Sequence, residues 1–189
     1  GVGFTGSISG GRALFDLAAQ RAEPIPVFAE MGSINPVVLL PKALKENSQK
    51  WATAYAGSIT LGAGQFCTNP GLLLAIKGSD LNHFAEQLAT AIENIAPSCM
   101  LHASMQANFE NGSQKMQEQN GVSKVAQYKG DVQPNYGRQT VLKVDGNEFL
   151  KNKSLSHEVF GPFSMIVECD DESQLIKLIS ELDGQLTGT

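Results

Sequence analysis

Leu72-Leu73-Leu74-Ala75-Ile76 is an unbroken apolar run, ended by Lys77-Gly78-Ser79. Residues 80–95 follow it, with Leu81, Phe84, Ala85, Leu88, Ala91, Ile92 and Ile95 recurring on one helical face. A short run buried on both sides, then an amphipathic helix with Asp80 placed to cap it, predicts a strand–helix unit.

The same alternation continues in both directions. Toward the N-terminus, a helix is expected over 43–61, with Trp51, Tyr55 and Ile59 along one side. Before it come a strand at Val37–Leu40, a turn from Gly32 to Pro36 and a strand from Val27 to Glu30. A helix over 8–21, with Leu14, Leu17 and Ala18 at helical spacing, is stopped by Pro24 and Pro26, and Gly1–Phe4 reads as the tail of a strand.

Toward the C-terminus, 102–121 is a polar helix carrying Met105, Phe109 and Met116. Short strands and turns fill 122–156, among them Thr140–Val144. A strand at 163–169 and a helix at 171–182, with Leu175, Ile176, Ile179 and Leu182, complete the pattern, and Gly184–Thr189 reads as an unfinished connection. The fold class predicted is α/β with a mainly parallel sheet.

Composition narrows the function. With 42% hydrophobic and 17% charged residues among 189, the chain supports a packed core and is not disordered. A net charge of −5 implies no nucleic-acid surface. The apolar runs fall far short of the roughly 20 residues of a membrane helix, so no membrane partner is expected. Cys67, Cys99 and Cys169 are odd in number and widely spaced. They form neither a disulfide framework nor a metal knuckle, which suits a reduced, cytoplasmic setting.

Three segments carry chemistry. In Phe4-Thr5-Gly6-Ser7-Ile8-Ser9-Gly10-Gly11 a strand feeds a turn that opens a helix, where unpaired amides suit a phosphate. Taken alone, the same turn reads more simply as an N-cap at Ser7 or Ser9. In Ala29-Glu30-Met31-Gly32, Glu30 at a strand end suits a general base on water; in isolation a surface acid is the simpler reading.

In Gly62-Ala63-Gly64-Gln65-Phe66-Cys67-Thr68-Asn69-Pro70-Gly71, Cys67 stands in a glycine-rich loop, where backbone amides favour a reactive thiolate over a small buried hydrophobe. Cys169 continues the alternation of Phe163, Met165 and Val167 and reads as core; Cys99 is left structural. His83 is expected in solvent, and no spacing ties His102 or His157 to Cys67. Asp170-Asp171-Glu172 offset the dipole of the last helix. Metal-ligand spacing is absent.

Taken together, Phe4-Thr5-Gly6-Ser7, Glu30-x-Gly32-x-x-Asn35-Pro36, Gly64-Gln65-x-Cys67 and Glu158-x-Phe160-Gly161-Pro162 resemble the aldehyde dehydrogenase superfamily, in its order and at about its spacing. Gly64–Gly71, Gly10–Asp16 and His157–Pro162 are most similar to its α-ketoglutaric semialdehyde (2,5-dioxovalerate) branch and to NADP-linked fatty-aldehyde relatives.

The resemblance implies a three-layer catalytic domain over 32–189, preceded at 1–31 by a remnant of the dinucleotide-binding domain. It makes Cys67 the nucleophile and Glu30 the base that activates water. It sets Gly6, Ser7, Met31, Glu158 and Phe160 against NADP or NAD, and gives the Cys67 N–H to the oxyanion. It further implies an aldehyde substrate and a homo-oligomeric full-length enzyme. Family members run to roughly 450 to 500 residues, with further cofactor and oligomerisation elements on either side, so the isolated chain is expected to fold with little or no dehydrogenase activity. Rival readings are a cofactor-independent cysteine acyltransferase or hydrolase served by His102 or His157, a coenzyme-A-acylating relative, disfavoured by Glu30, and a non-catalytic binding protein.

Overall fold

The computed structural model describes residues 1–189, in two units, Gly1–Ser33 and Ile34–Thr189. In the first, strands Val2–Gly6 (β1) and Val27–Met31 (β2) pair in parallel on either side of a helix, Ile8–Ala19 (α1). The Ser7 hydroxyl caps α1 by accepting the Gly10 N–H at 3.2 Å. Gly11 is buried, and a side chain there would run into the Met31 thioether. The backbone of α1 therefore lies close to β2. The helix stops at Ala19, short of the expected 21, and Leu17 faces solvent while Ala18 is buried.

The second unit runs Pro36–Leu39 (β3), Pro41–Thr60 (α2), Leu72–Ile76 (β4), Ser79–Asn94 (α3), Ala103–Gln117 (α4), Ser123–Gln127 (β5), Thr140–Asp145 (β6), Gly146–Lys151 (α5), Phe163–Cys169 (β7) and Glu172–Glu181 (α6). The sheet order is β3-β4-β7-β6-β5, parallel throughout except for β5, which is antiparallel to β6.

Side chains alternate across this sheet. Leu72, Leu74, Met165, Val167 and Cys169 enter one core with Phe109, Met116, Phe149, Leu175 and Leu178. Leu73, Ala75, Val141 and Ile166 enter the other with Leu44, Tyr55, Ile59, Leu81, Phe84, Leu88 and Ile92. The result is three layers: α2 and α3 on one face, α4, α5 and α6 on the other. Each fully buried large side chain contributes about 1.5–3 kcal/mol.

Local details differ from the expectations. Gly78, not Asp80, is the N-cap of α3; Asp80 lies in its first turn, where the carboxylate still offsets the dipole. Pro41 opens α2 two residues before the expected start, since a proline at the first helical position gives up no needed donor. The helix breaks at Asn47. Trp51 stays at the surface under the Lys50 ammonium, 5.1 Å from its ring, while Tyr55 and Ile59 are buried. On α6 the buried stripe is Leu175 and Leu178; Ile176 and Ile179 are exposed.

Within Gly184–Thr189, Thr189 donates to the Pro36 carbonyl and accepts from the Val38 N–H, along β3. Asp171 caps α6 as the acidic cluster suggested, while Asp170 pairs with a lysine at the end of β4. Lys77 lies 2.5 Å from both Asp145 and Asp170, joining the C-terminal ends of β4, β6 and β7. The ammonium holds both carboxyls below their ordinary range. No helix is long and apolar enough to cross a membrane.

Candidate active site

The opposite ends of β4 and β7 carry the loops that hold the site residues of the second unit. Leu61–Gly64 forms a 3-10 turn in which Gly62, Ala63 and Gly64 all take left-handed backbone, φ 56°, 56° and 65°. Glycine adopts this freely, whereas Ala63 costs about 1–2 kcal/mol. Gly64 is needed for space as well, because a side chain there would overlap the backbone of Gly161 and Pro162. Gly161 in turn, at φ 149°, lies against the Phe109 ring with no room for a Cβ. Two motifs far apart in sequence thus meet backbone to backbone.

After this approach the chain makes a β-turn, closed by the Asn69 N–H on the Phe66 carbonyl at 3.0 Å. Cys67 and Thr68 occupy its corners, and Cys67 is exposed. Four anchors fix the turn. The Asn35 side-chain amide donates to the carbonyls of Cys67 (2.8 Å) and Asn69 (2.9 Å). Gln65 accepts the Leu101 N–H at 3.0 Å and donates to the Gly62 carbonyl at 3.2 Å. Asn69 donates to the Gly161 carbonyl at 3.3 Å, while its own buried Oδ1 has no partner. Buried Tyr55 donates to the Pro70 carbonyl at 3.1 Å and shares a 2.8 Å hydrogen bond with Ser164. Burial pushes the Tyr55 hydroxyl's pKa up.

Glu158 and Phe160 are half-buried in the segment leading to Gly161. Glu30, Gly6, Ser7 and Met31 belong to the first unit. Glu30 is exposed near the C-terminal end of β2, opposite Thr5 of β1. Met31 packs on Gly11, and a side chain at Gly6 would press into the Phe4 ring. Ser7 caps α1, and that helix carries no acid in its first turn.

The other thiols and the histidines lie outside this arrangement. Cys169 is fully buried in the core, and burial pushes its thiol up to about 11. Cys99 is exposed rather than packed, with its sulfur 3.4 Å from the Asn135 amide. His83 is exposed and bonded to Gln87 at 2.8 Å. His102 caps α4, its Nδ1 accepting from Ser104 and the Met105 N–H. His157 is exposed, and no hydrogen bond joins any histidine to Cys67.

In the sequence, Asn35 stands within a motif with no task of its own, and Tyr55 reads only as core. An asparagine before a proline, placed where the chain must turn left-handed (φ 44°), was the available signal for Asn35. Tyr55 offered none, because its partners lie in other elements.

The aldehyde dehydrogenase family model matches residues 1–189 in full. The chain is 44% identical to "Alpha-ketoglutaric semialdehyde dehydrogenase 2" of Azospirillum brasilense and 37% identical to "Alpha-ketoglutaric semialdehyde dehydrogenase" of Acinetobacter baylyi, each match using 100% of this chain and 36% of the relative. It thus spans about a third of those relatives' length. Among solved structures, the NAD-dependent benzaldehyde dehydrogenase of Corynebacterium glutamicum superposes with a TM-score of 0.77 at 22% identity, over 99% of this chain and 41% of that one. A glycine-built loop presenting an exposed cysteine, on a fold shared with that enzyme and in a sequence matched along its whole length, has one consistent reading: the chain belongs to the aldehyde dehydrogenase family.

Proposed function

We propose that this chain supplies the catalytic residues of an NAD(P)-dependent oxidation of an aldehyde to its carboxylic acid, with α-ketoglutaric semialdehyde as substrate. The observation that carries this reading is the exposed Cys67 at the corner of a turn anchored from four sides. A fixed exposed thiol is a nucleophile held in place; a core thiol such as Cys169 is not.

The Cys67 thiolate adds to the aldehyde carbon and forms a thiohemiacetal. The backbone N–H of Cys67 steadies the oxyanion. Loss of the hydride leaves the acyl group on Cys67 as a thioester. Glu30 takes a proton from water, whose oxygen attacks the thioester carbon, releasing the acid and the thiol. The acid at position 30 favours hydrolysis over transfer to a second thiol.

NAD or NADP, when bound, supplies the hydride acceptor. The chain's residues fit such a group: α1 begins on a small capped turn with no competing acid, which suits a pyrophosphate. Gly6 and Ser7 would hold the phosphates, with Met31 close by. Glu158 would accept a hydrogen bond from the nicotinamide ribose, and Phe160 would pack beside the ring.

Steady-state kinetics of the full-length enzyme with both cofactors and a short aldehyde panel test the reading. α-Ketoglutaric semialdehyde should give the highest kcat/KM, and Cys67→Ala should abolish turnover. Unchanged turnover in that variant would overturn the assignment.

A further inference from the structure

Asn35 is almost fully buried, at 2% exposure, and its side chain uses both ends. Its Nδ2 donates to the carbonyls of Cys67 and Asn69 at 2.8 and 2.9 Å. Its Oδ1 accepts from the Thr187 N–H at 3.2 Å and the Thr187 hydroxyl at 3.0 Å. An amide group donates only from nitrogen and accepts only at oxygen. Two carbonyls on one side and a backbone N–H on the other therefore admit one orientation of the amide.

The backbone beside it is tied down independently. The Ile34 carbonyl accepts the Gly71 N–H at 2.9 Å, and the Ile34 N–H donates to Gln185 at 2.7 Å. The Asn35 amide thus sits on a fixed base and holds the Cys67–Thr68 and Asn69–Pro70 peptide planes.

We infer that Asn35 is a positioning residue for Cys67: its side-chain amide locks the 66–69 turn, and so aims the thiol at the reacting carbon and the neighbouring N–H at the oxygen attached to it. The inference rests on the reading of Cys67 as the nucleophile. Asn35 touches neither substrate nor cofactor in this role; it acts through the Cys67 backbone. Removing its two donor bonds releases the Cys67 and Asn69 carbonyls from the amide; the anchors that remain, at Gln65, Asn69 and Tyr55, hold neither of these carbonyls, so the thiol samples several directions. A misplacement of about 1 Å can cost about a hundredfold in rate.

Two variants of the full-length enzyme test this. Asn35→Asp keeps the acceptor for Thr187 and replaces the donor with a carboxylate oxygen facing two carbonyls. Asn35→Gly removes the clamp and suits the left-handed backbone at this position. Each is measured for kcat and KM per folded molecule, with folded protein quantified by thermal unfolding. The expected result is a fall in kcat of about a hundredfold for Asn35→Asp and at least tenfold for Asn35→Gly, with KM for the aldehyde within threefold of the parent.

A kcat per folded molecule within threefold of the parent in Asn35→Gly overturns the inference. So does a loss of turnover that only tracks loss of folded protein. Cys67→Ala, assayed in parallel, separates the two levels. If it is inactive while Asn35→Gly is fully active, the clamp alone fails; if it stays active, the nucleophile assignment fails, and the clamp with it.

Discussion

Gly64 lies against the Gly161 carbonyl so closely that no side chain fits between them. Gly64 opens the segment that presents Cys67, and Gly161 closes the segment that carries Glu158 and Phe160. The contact extends the β4–β7 pairing back into the two loops that carry these residues. It is made by backbone alone, on residues whose φ values, 65° and 149°, both favour glycine.

Gly64→Ala should be strongly destabilising. The left-handed backbone costs about 1–2 kcal/mol with a Cβ present, and overpacking against Gly161 adds about 1–3 kcal/mol. Urea unfolding should show a loss of roughly 2–5 kcal/mol. A loss below 1 kcal/mol would mean that the loop has room to retreat and that the approach is not a constraint.

Alkaline pH should weaken the fold through Cys169. Its thiol is pushed up to about 11 from an ordinary 9.0, by burial first and then by the nearby Asp170 charge. The unfolded chain loses this proton near pH 9 while the folded chain keeps it. The stabilisation is therefore complete below pH 9 and lost as pH rises toward 11, about 2 kcal/mol by pH 10.5. Tyr55, raised by burial, acts in the same direction above pH 10. Comparing urea midpoints at pH 8 and 10.5, Cys169→Ala should show a smaller drop than the parent. Equal drops would remove Cys169 from the explanation.

The three thiols should react in two classes. Cys67 and Cys99 are exposed and Cys169 is buried. Mass-mapped alkylation of the native chain should label the first two, with Cys169 protected at least about a thousandfold until unfolding. Early labelling of Cys169 would show that the core around β7 opens locally.

The sequence revealed most where periodicity decides. β4 and α3 were legible because an apolar run and a 3.6-residue stripe have few other uses, and α4 was legible from Phe109 and Met116. The α6 face was legible in part: Leu175 and Leu182 pack on the core as expected, but Ile176 and Ile179, which look like core residues, are exposed, and Leu178 is buried instead. At the site, Cys67 and its glycines stood out as local chemistry. The Asn35 clamp did not, because its partners lie 32, 34 and 152 positions away and only the folded chain brings them together. The break in α2 at Asn47 likewise has no signal in the spacing of its apolar residues.

In the proposed reaction, Cys67 carries the acyl group and Glu30 drives its removal by water. The direct measurement is intact-protein and peptide mass spectrometry of full-length Glu30→Gln during turnover of α-ketoglutaric semialdehyde with NAD or NADP. An acyl adduct accumulating on the peptide that contains Cys67, and persisting long after the parent has cleared it, is the predicted result. An adduct on another residue, or a Glu30→Gln variant that deacylates as fast as the parent, would contradict it.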